Sequence, residues 1–130
     1  MRGDKTVDLL DQLAAEVEAG MDDVDEDRRM FFRGLRHLQE GDLKEASRIF
    51  RRAARHCPPP FDLMAKMAQA RCEVVRGRQA SAVRIFDQIV DSDAPGGLRR
   101  LAWMELADLS RERDDPELLQ RARSEIQALS

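Results

Sequence analysis

Residues 34–58, with the sequence GLRHLQEGDLKEASRIFRRAARHCP, have the pattern of a helix end, a tight turn and a second complete helix. Gly41 supplies the left-handed conformation that ends a helix, and Pro58 forbids continuation of the next one. Asp42, followed three residues later by Glu45, has the sequence of a capping box at the start of the second helix. Small and apolar side chains then recur at helical spacing, opposite a row of arginines. The stretch therefore predicts an antiparallel helical hairpin.

The apolar face of the second helix combines small and large side chains in a fixed order. Ala46 lets a neighbouring backbone come close, and Phe50 fills the space beside it. The order of small residue, turn glycine, alanine, aromatic residue, alanine and proline resembles the tetratricopeptide repeat. The residues that carry the resemblance are Gly34, Gly41, Leu43, Ala46, Phe50, Ala53 and Pro58. It implies an all-α fold in which antiparallel helical hairpins stack as a short superhelix.

The same pattern returns 36 residues later in the chain. The matching pairs are Gly41 with Gly77, Ala46 with Ala82, and Phe50 with Phe86. A period of about 34 residues is usual for the tetratricopeptide repeat, so we expect the two extra residues in the proline-rich connection 57–62. The second hairpin is predicted to contain helices of about 61–76 and 79–91, and to end at the turn signal of residues 92–97.

A third hairpin is predicted from helical periodicity more than from the motif. Asp115 and Pro116 are the residue types expected at the N-cap and the first position of its last helix. Asp114 stands where the first two units have a turn glycine. The last helix is polar around most of its circumference, as expected at the end of a helical array. The predicted hairpins cover residues 28–58, 61–92 and 97–129.

An additional helix, from about Thr6 to Ala19, is predicted before the repeats. Its narrow apolar stripe needs a surface to cover, because so short a helix is marginal alone in water. We expect it to cap the first hairpin, with occupation of the partner groove or dimerisation as alternatives. The acidic run 22–27, DDVDED, is expected to be a solvated linker. Residues 1–27 thus precede a helical-repeat domain of residues 28–130.

The composition favours helices and argues against several classes of function. The 130 residues are 42% hydrophobic and 36% charged but only 5% aromatic, which suits amphipathic helices better than sheets. A net charge of -3 argues against a dedicated nucleic-acid binder. No apolar run is long enough to span a membrane, and no signal-peptide pattern is present, so we expect a cytoplasmic protein. Cys57 and Cys72 are expected to be reduced thiols.

The sequence contains no pattern typical of an enzyme. His37 and His56 lack the spacing of paired metal ligands, and the glycines at 96 and 97 lack the lysine of a phosphate-binding loop. We therefore expect no catalytic residue, no metal and no cofactor. Four arginines of the second repeat helix form a basic ridge, expected to be a solvated face, with a site for nucleic acid or an acidic partner as the alternative. They are Arg48, Arg51, Arg52 and Arg55.

The resemblance also implies a binding site. In tetratricopeptide proteins, the first helices of successive hairpins line a concave groove that accepts an extended peptide or a helix. Carried onto this chain, the groove residues are Arg28, Phe31, Leu35, Leu38, Met64, Met67, Arg71, Leu101, Met104 and Asp108. Met adapts to varied apolar partners, so the predicted occupant is an amphipathic helix. For each residue taken singly, a place in the core between helices is the alternative.

The function predicted from these features is a non-enzymatic adaptor that binds an apolar or helical segment of another protein. Family members that grip a C-terminal carboxylate use Lys, Arg and Asn in the groove, and the lack of any Asn here argues against that type of partner. Two alternatives remain open: a small bacterial secretion chaperone for a hydrophobic exported protein, and a structural homo-oligomer. Neither a nucleic acid nor a membrane is an expected partner.

Overall fold

A computed structural model describes residues 26–130 of the chain, together with the isolated helical residue Gln12. The described residues contain six helices and no strand, so the predicted all-α fold is confirmed. The helices are α1 (Glu26–Gln39), α2 (Leu43–His56), α3 (Phe61–Val75), α4 (Gln79–Val90), α5 (Gly96–Glu112) and α6 (Pro116–Ala128). The rest of the predicted N-terminal helix, and residues 22–25 of the acidic run, lie outside the described residues.

The described residues divide into two compact units, the first ending at Arg78 and the second covering residues 79–130. In the first unit, α2 packs against both α1 and α3, and α1 also contacts α3. In the second unit, α5 packs against both α4 and α6. The division falls inside the predicted second hairpin, residues 61–92, so the grouping of its two helices into one repeat stays a prediction.

Three turns of the chain share one backbone geometry. Each contains a residue in the left-handed region, with φ of 83° at Gly41, 81° at Gly77 and 54° at Asp114. The following residue donates its N–H to the carbonyl five residues earlier, as in a Schellman motif, and the next helix begins directly after it. These bonds join Asp42 to His37 (2.9 Å), Arg78 to Glu73 (2.8 Å) and Asp115 to Ser110 (2.8 Å). Asp114 replaces the glycine because Asp tolerates the left-handed region better than most residues.

The capping box predicted at the start of α2 is not formed, so this prediction was wrong. Asp42 occupies the N-cap position but makes no side-chain hydrogen bond to the helix. Its carboxylate lies 3.4 Å from Nδ1 of His37, and Glu45 instead accepts a hydrogen bond from Nε of Arg48 at 3.1 Å. Each acidic side chain has a basic side chain close by, and these neighbours compete with the backbone amides.

The last two helices begin in different ways. Asp115 caps α6 as predicted, because its Oδ1 accepts a hydrogen bond from the N–H of Leu118 at 3.2 Å and Pro116 follows it. Gly96, predicted to lie in a turn, is instead the first residue of α5. Pro95 precedes it with extended backbone, and its carbonyl accepts the first helical hydrogen bonds.

Close packing of α1 on α2 depends on a glycine facing an aromatic ring. A Cβ built on Gly34 would lie 2.6 Å from Cε1 of Phe50. The ring of Phe31 joins this contact to α3, with its centroid 5.9 Å from that of Phe50 and 5.5 Å from that of Phe61. Phe50 and Phe86, predicted as equivalent residues of two repeats, are both fully buried.

The two cysteines are buried and form no disulfide, as predicted. Burial raises the pKa of the Cys72 thiol to about 12, and the neighbouring Glu73 carboxylate acts in the same direction. Among the residues that the structure describes, no helix combines the length and the apolar character needed to cross a membrane.

Candidate functional site

Most residues predicted to line a partner groove are buried in the structure. Seven of the ten have exposed fractions of 8% or less: Phe31, Leu35, Leu38, Met64, Met67, Arg71 and Leu101. Arg28 and Met104 are half-buried, and Asp108 is exposed. The buried side chains contribute to packing between helices. This place in the core was the alternative to partner binding for each residue taken singly. Their role in binding a partner stays a prediction.

The three accessible members of this set have local partners. The guanidinium of Arg28 lies 5.6 Å from the centroid of the Phe61 ring, a cation–π distance. In the second unit, Sδ of Met104 is 3.7 Å from Nη1 of Arg100. Asp108 accepts a hydrogen bond from Arg111 at 2.9 Å on the same helix. Within the first unit, Arg28 thus lies beside Phe61, whose ring in turn packs against the buried ring of Phe31.

A pocket of about 610 Å³ lies at the turn between α1 and α2, within the first unit. Its walls come from the end of α1, the turn that follows it, the first nine residues of α2 and the segment that follows α3. The lining residues are His37, Asp42, Lys44, Glu45, Ser47, Arg48, Arg51, Arg76 and Arg78. Five of these carry a permanent positive charge and two carry a negative charge, so we call this site the cationic pocket.

A buried carboxylate holds two of the pocket arginines. Glu73 is only 1% exposed, and its Oε1 accepts a hydrogen bond from Oγ of Ser47 at 3.2 Å. The same oxygen lies 3.5 Å from Nη1 of Arg76, while Oε2 lies 3.7 Å from Nη1 of Arg78. A carboxylate this deep needs hydrogen-bonding or cationic partners, because its desolvation is otherwise very unfavourable. Glu73 therefore links α2 to the segment after α3 and lies within ion-pair distance of both arginines.

The two acidic lining residues each lie beside one basic side chain. The hydrogen bond between Glu45 and Arg48 lowers the pKa of the Glu45 carboxyl and raises the pKa of the guanidinium. Asp42 faces His37, which is charged only when it is protonated. Lys44 and Arg51 are exposed cations with no ion-pair or hydrogen-bond partner among the described residues. These two side chains are the unneutralised charges of the cationic pocket.

The basic ridge predicted from the sequence is only partly involved in this pocket. All four arginines of the ridge are exposed. Arg48 and Arg51 line the pocket, whereas Arg52 and Arg55 do not. Sequence reasoning missed Arg76 and Arg78, which flank the turn glycine Gly77 and reach the pocket only through the packing of α3 on α2. The available signal in the sequence was one arginine on each side of a turn glycine.

Comparison with known proteins adds no assignment. No family model, no curated protein and no solved structure matches the chain. Within the described part of the chain, no three His, Cys, Asp or Glu side chains are grouped so as to hold a metal ion.

Proposed function

We propose that this chain is a non-enzymatic helical interaction module that binds a segment of a partner protein. The observation that carries the proposal is the series of equivalent turns at Gly41, Gly77 and Asp114. Regularly spaced helical hairpins are the building units of tetratricopeptide-like arrays, whose extended surfaces bind other proteins. The contact between Gly34 and Phe50 supports the same architecture, because it is the small-against-aromatic packing expected inside one hairpin.

The proposed partner segment is apolar or helical and binds at the predicted groove residues. Arg28, Met104 and Asp108 are the members that a partner can contact without movement of the helices, since each has exposed surface. Contact with the buried members requires the helices to separate, which exposes apolar area and opposes binding. These three residues are therefore the positions at which the proposal is tested.

Site-specific photocrosslinking gives the test. A photoreactive amino acid is placed at position 28, 104 or 108, and the purified chain is irradiated in a lysate of the native cell. We expect mass spectrometry to find the same crosslinked protein at these positions. Glu117 and Arg123, exposed on α6, are the control positions and should not give it. Identical products at test and control positions, or no protein product, would reject the proposal.

The chaperone and homo-oligomer functions considered from the sequence stay predictions. Light scattering over a range of concentrations separates the homo-oligomer from the adaptor, since only the homo-oligomer gives a mass that rises with concentration.

A further inference from the structure

We propose that the cationic pocket is a second binding site, which takes an acidic segment of a partner protein. The proposal rests on the proposed function of the chain as an interaction module. It adds a partner chemistry different from the apolar segment expected in the groove, and it places the contact at the turn between α1 and α2.

The charge balance of the pocket points to an anionic ligand with two charges. Five permanent cations line it, and they face two lining carboxylates and the buried carboxylate of Glu73. With His37 neutral, the pocket therefore has a net charge of +2. Lys44 and Arg51 are the two pocket cations without an ion-pair partner among the described residues. Ligand carboxylates at these two side chains would complete the pairing without breaking any existing ion pair.

The spacing of these two cations favours two separate carboxylates. Lys44 and Arg51 are seven residues apart on α2, so they lie on one face with about 10.5 Å between them along the axis. Acidic residues seven apart on a partner helix have the same separation. Acidic residues three apart in a polyproline II segment are separated by about 9 Å. A single phosphate or carboxylate cannot match both cations unless their side chains converge on it.

A long polyanion fits the chain less well than a short acidic segment. The whole chain has a net charge of -3, whereas domains that bind long nucleic acids usually have a clearly basic balance. An acidic segment of a protein places its charged side chains inside the pocket, and the rest of that chain can be uncharged. Arginine is also well suited to carboxylates, because its planar guanidinium can form two parallel hydrogen bonds with one.

The acidic run 22–27 of the chain has the same chemistry as the proposed ligand. Arg51 follows Phe50, whose ring faces Gly34, and Gly34 lies eight residues or about 12 Å along α1 from Glu26. The run, from the same or a second copy of the chain, is therefore a competing occupant that the test must separate from a partner segment.

The test measures binding of a fluorescein-labelled peptide with four glutamates, each followed by Gly-Ser, by fluorescence anisotropy. The pocket variant is Lys44→Gln with Arg51→Gln. The control variant is Arg52→Gln with Arg55→Gln, which removes the same charge from the same helix outside the pocket. All four residues are exposed, and thermal melts by circular dichroism check that both variants remain folded.

We expect the unmodified chain to bind the peptide at about 20 mM salt and to bind it more weakly at about 150 mM, because salt screens exposed charges. Each exposed ion pair contributes up to about fivefold in affinity. The pocket variant should therefore bind about tenfold more weakly, while the control variant stays within about twofold of the unmodified chain.

Three results would overturn the proposal. The first is no binding of the peptide, or an equal loss in the two variants. The second is binding of inorganic phosphate or short double-stranded DNA, sensitive to the pocket variant, without binding of the glutamate peptide. The third is self-association of the chain that the pocket variant abolishes, which would assign the pocket to residues 22–27 of a second copy. Crosslinking at positions 28, 104 and 108 is read separately, so failure of either proposal is recognised independently.

Discussion

Gly34→Ala tests how closely α1 packs on α2 in the first unit. The added Cβ would lie 2.6 Å from Cε1 and 2.9 Å from Cδ1 of Phe50. The ring cannot swing into solvent, because it is fully buried and packs against the ring of Phe31. Either Phe50 leaves its preferred rotamer or the two helices move apart.

Two effects of opposite sign set the size of the change in stability. Overpacking of this kind costs about 1–3 kcal/mol. Replacing Gly by Ala inside a helix contributes about 1 kcal/mol in the other direction, because Ala loses less conformational entropy on folding. Both contacts at Gly34 are shorter than 3.0 Å, and the ring is enclosed, so the packing cost belongs in the upper half of its range. We expect a net loss of about 1–2 kcal/mol in the free energy of unfolding.

Urea unfolding followed by far-UV circular dichroism measures this loss. Gly97→Ala is the matched control, because Gly97 also lies in a helix but a Cβ there meets nothing within 4 Å. The control should be unchanged or up to about 1 kcal/mol more stable. Phe50→Leu makes room for the new methyl group, so the double variant with Gly34→Ala should lose less than the two single losses together.

A Gly34→Ala chain that is as stable as the unmodified chain would refute the close approach of α1 and α2. Strict additivity in the double variant would show that Phe50 is not the obstacle. Either result would also remove the packing evidence for a tetratricopeptide-like hairpin.

The other predictions concern stability and reactivity. Asp115→Ala should lower the free energy of unfolding by about 0.5–2 kcal/mol in urea, whereas Asp42→Ala should cost less because its side chain makes no cap hydrogen bond. Phe50→Ala and Phe86→Ala should each lower it by about 3–5 kcal/mol, and unchanged melting temperatures for both would contradict their burial. Cys72 should react with a thiol reagent only after unfolding, since burial raises its pKa from 9.0 to about 12. For the same reason, its contribution to stability is present below pH 9 and is lost as the pH rises from there toward 12, which urea titrations across that range would detect.

Features that depend on neighbouring residues could be predicted from the sequence. The helices expected at about 61–76 and 79–91 correspond to Phe61–Val75 and Gln79–Val90. The turn glycines, and Asp115 as the cap of α6, act through backbone groups only a few residues away, so no tertiary contact is needed to identify them. The wrong prediction of a capping box at Asp42 also involves residues close in the chain, because His37 is near enough to compete with the backbone for the Asp42 carboxylate.

The candidate site depended on contacts that no local pattern contains. Ser47 and Glu73 are 26 residues apart, yet their hydrogen bond places Arg76 and Arg78 beside the basic face of α2. The burial of the predicted groove residues could not be predicted from the sequence either. Helical periodicity shows which side chains share a face but not what covers that face. Helix and turn propensities act between residues that are close in the chain. Burial and charge pairing act between residues that are close in space, and only the packing of the helices determines which residues are close in space.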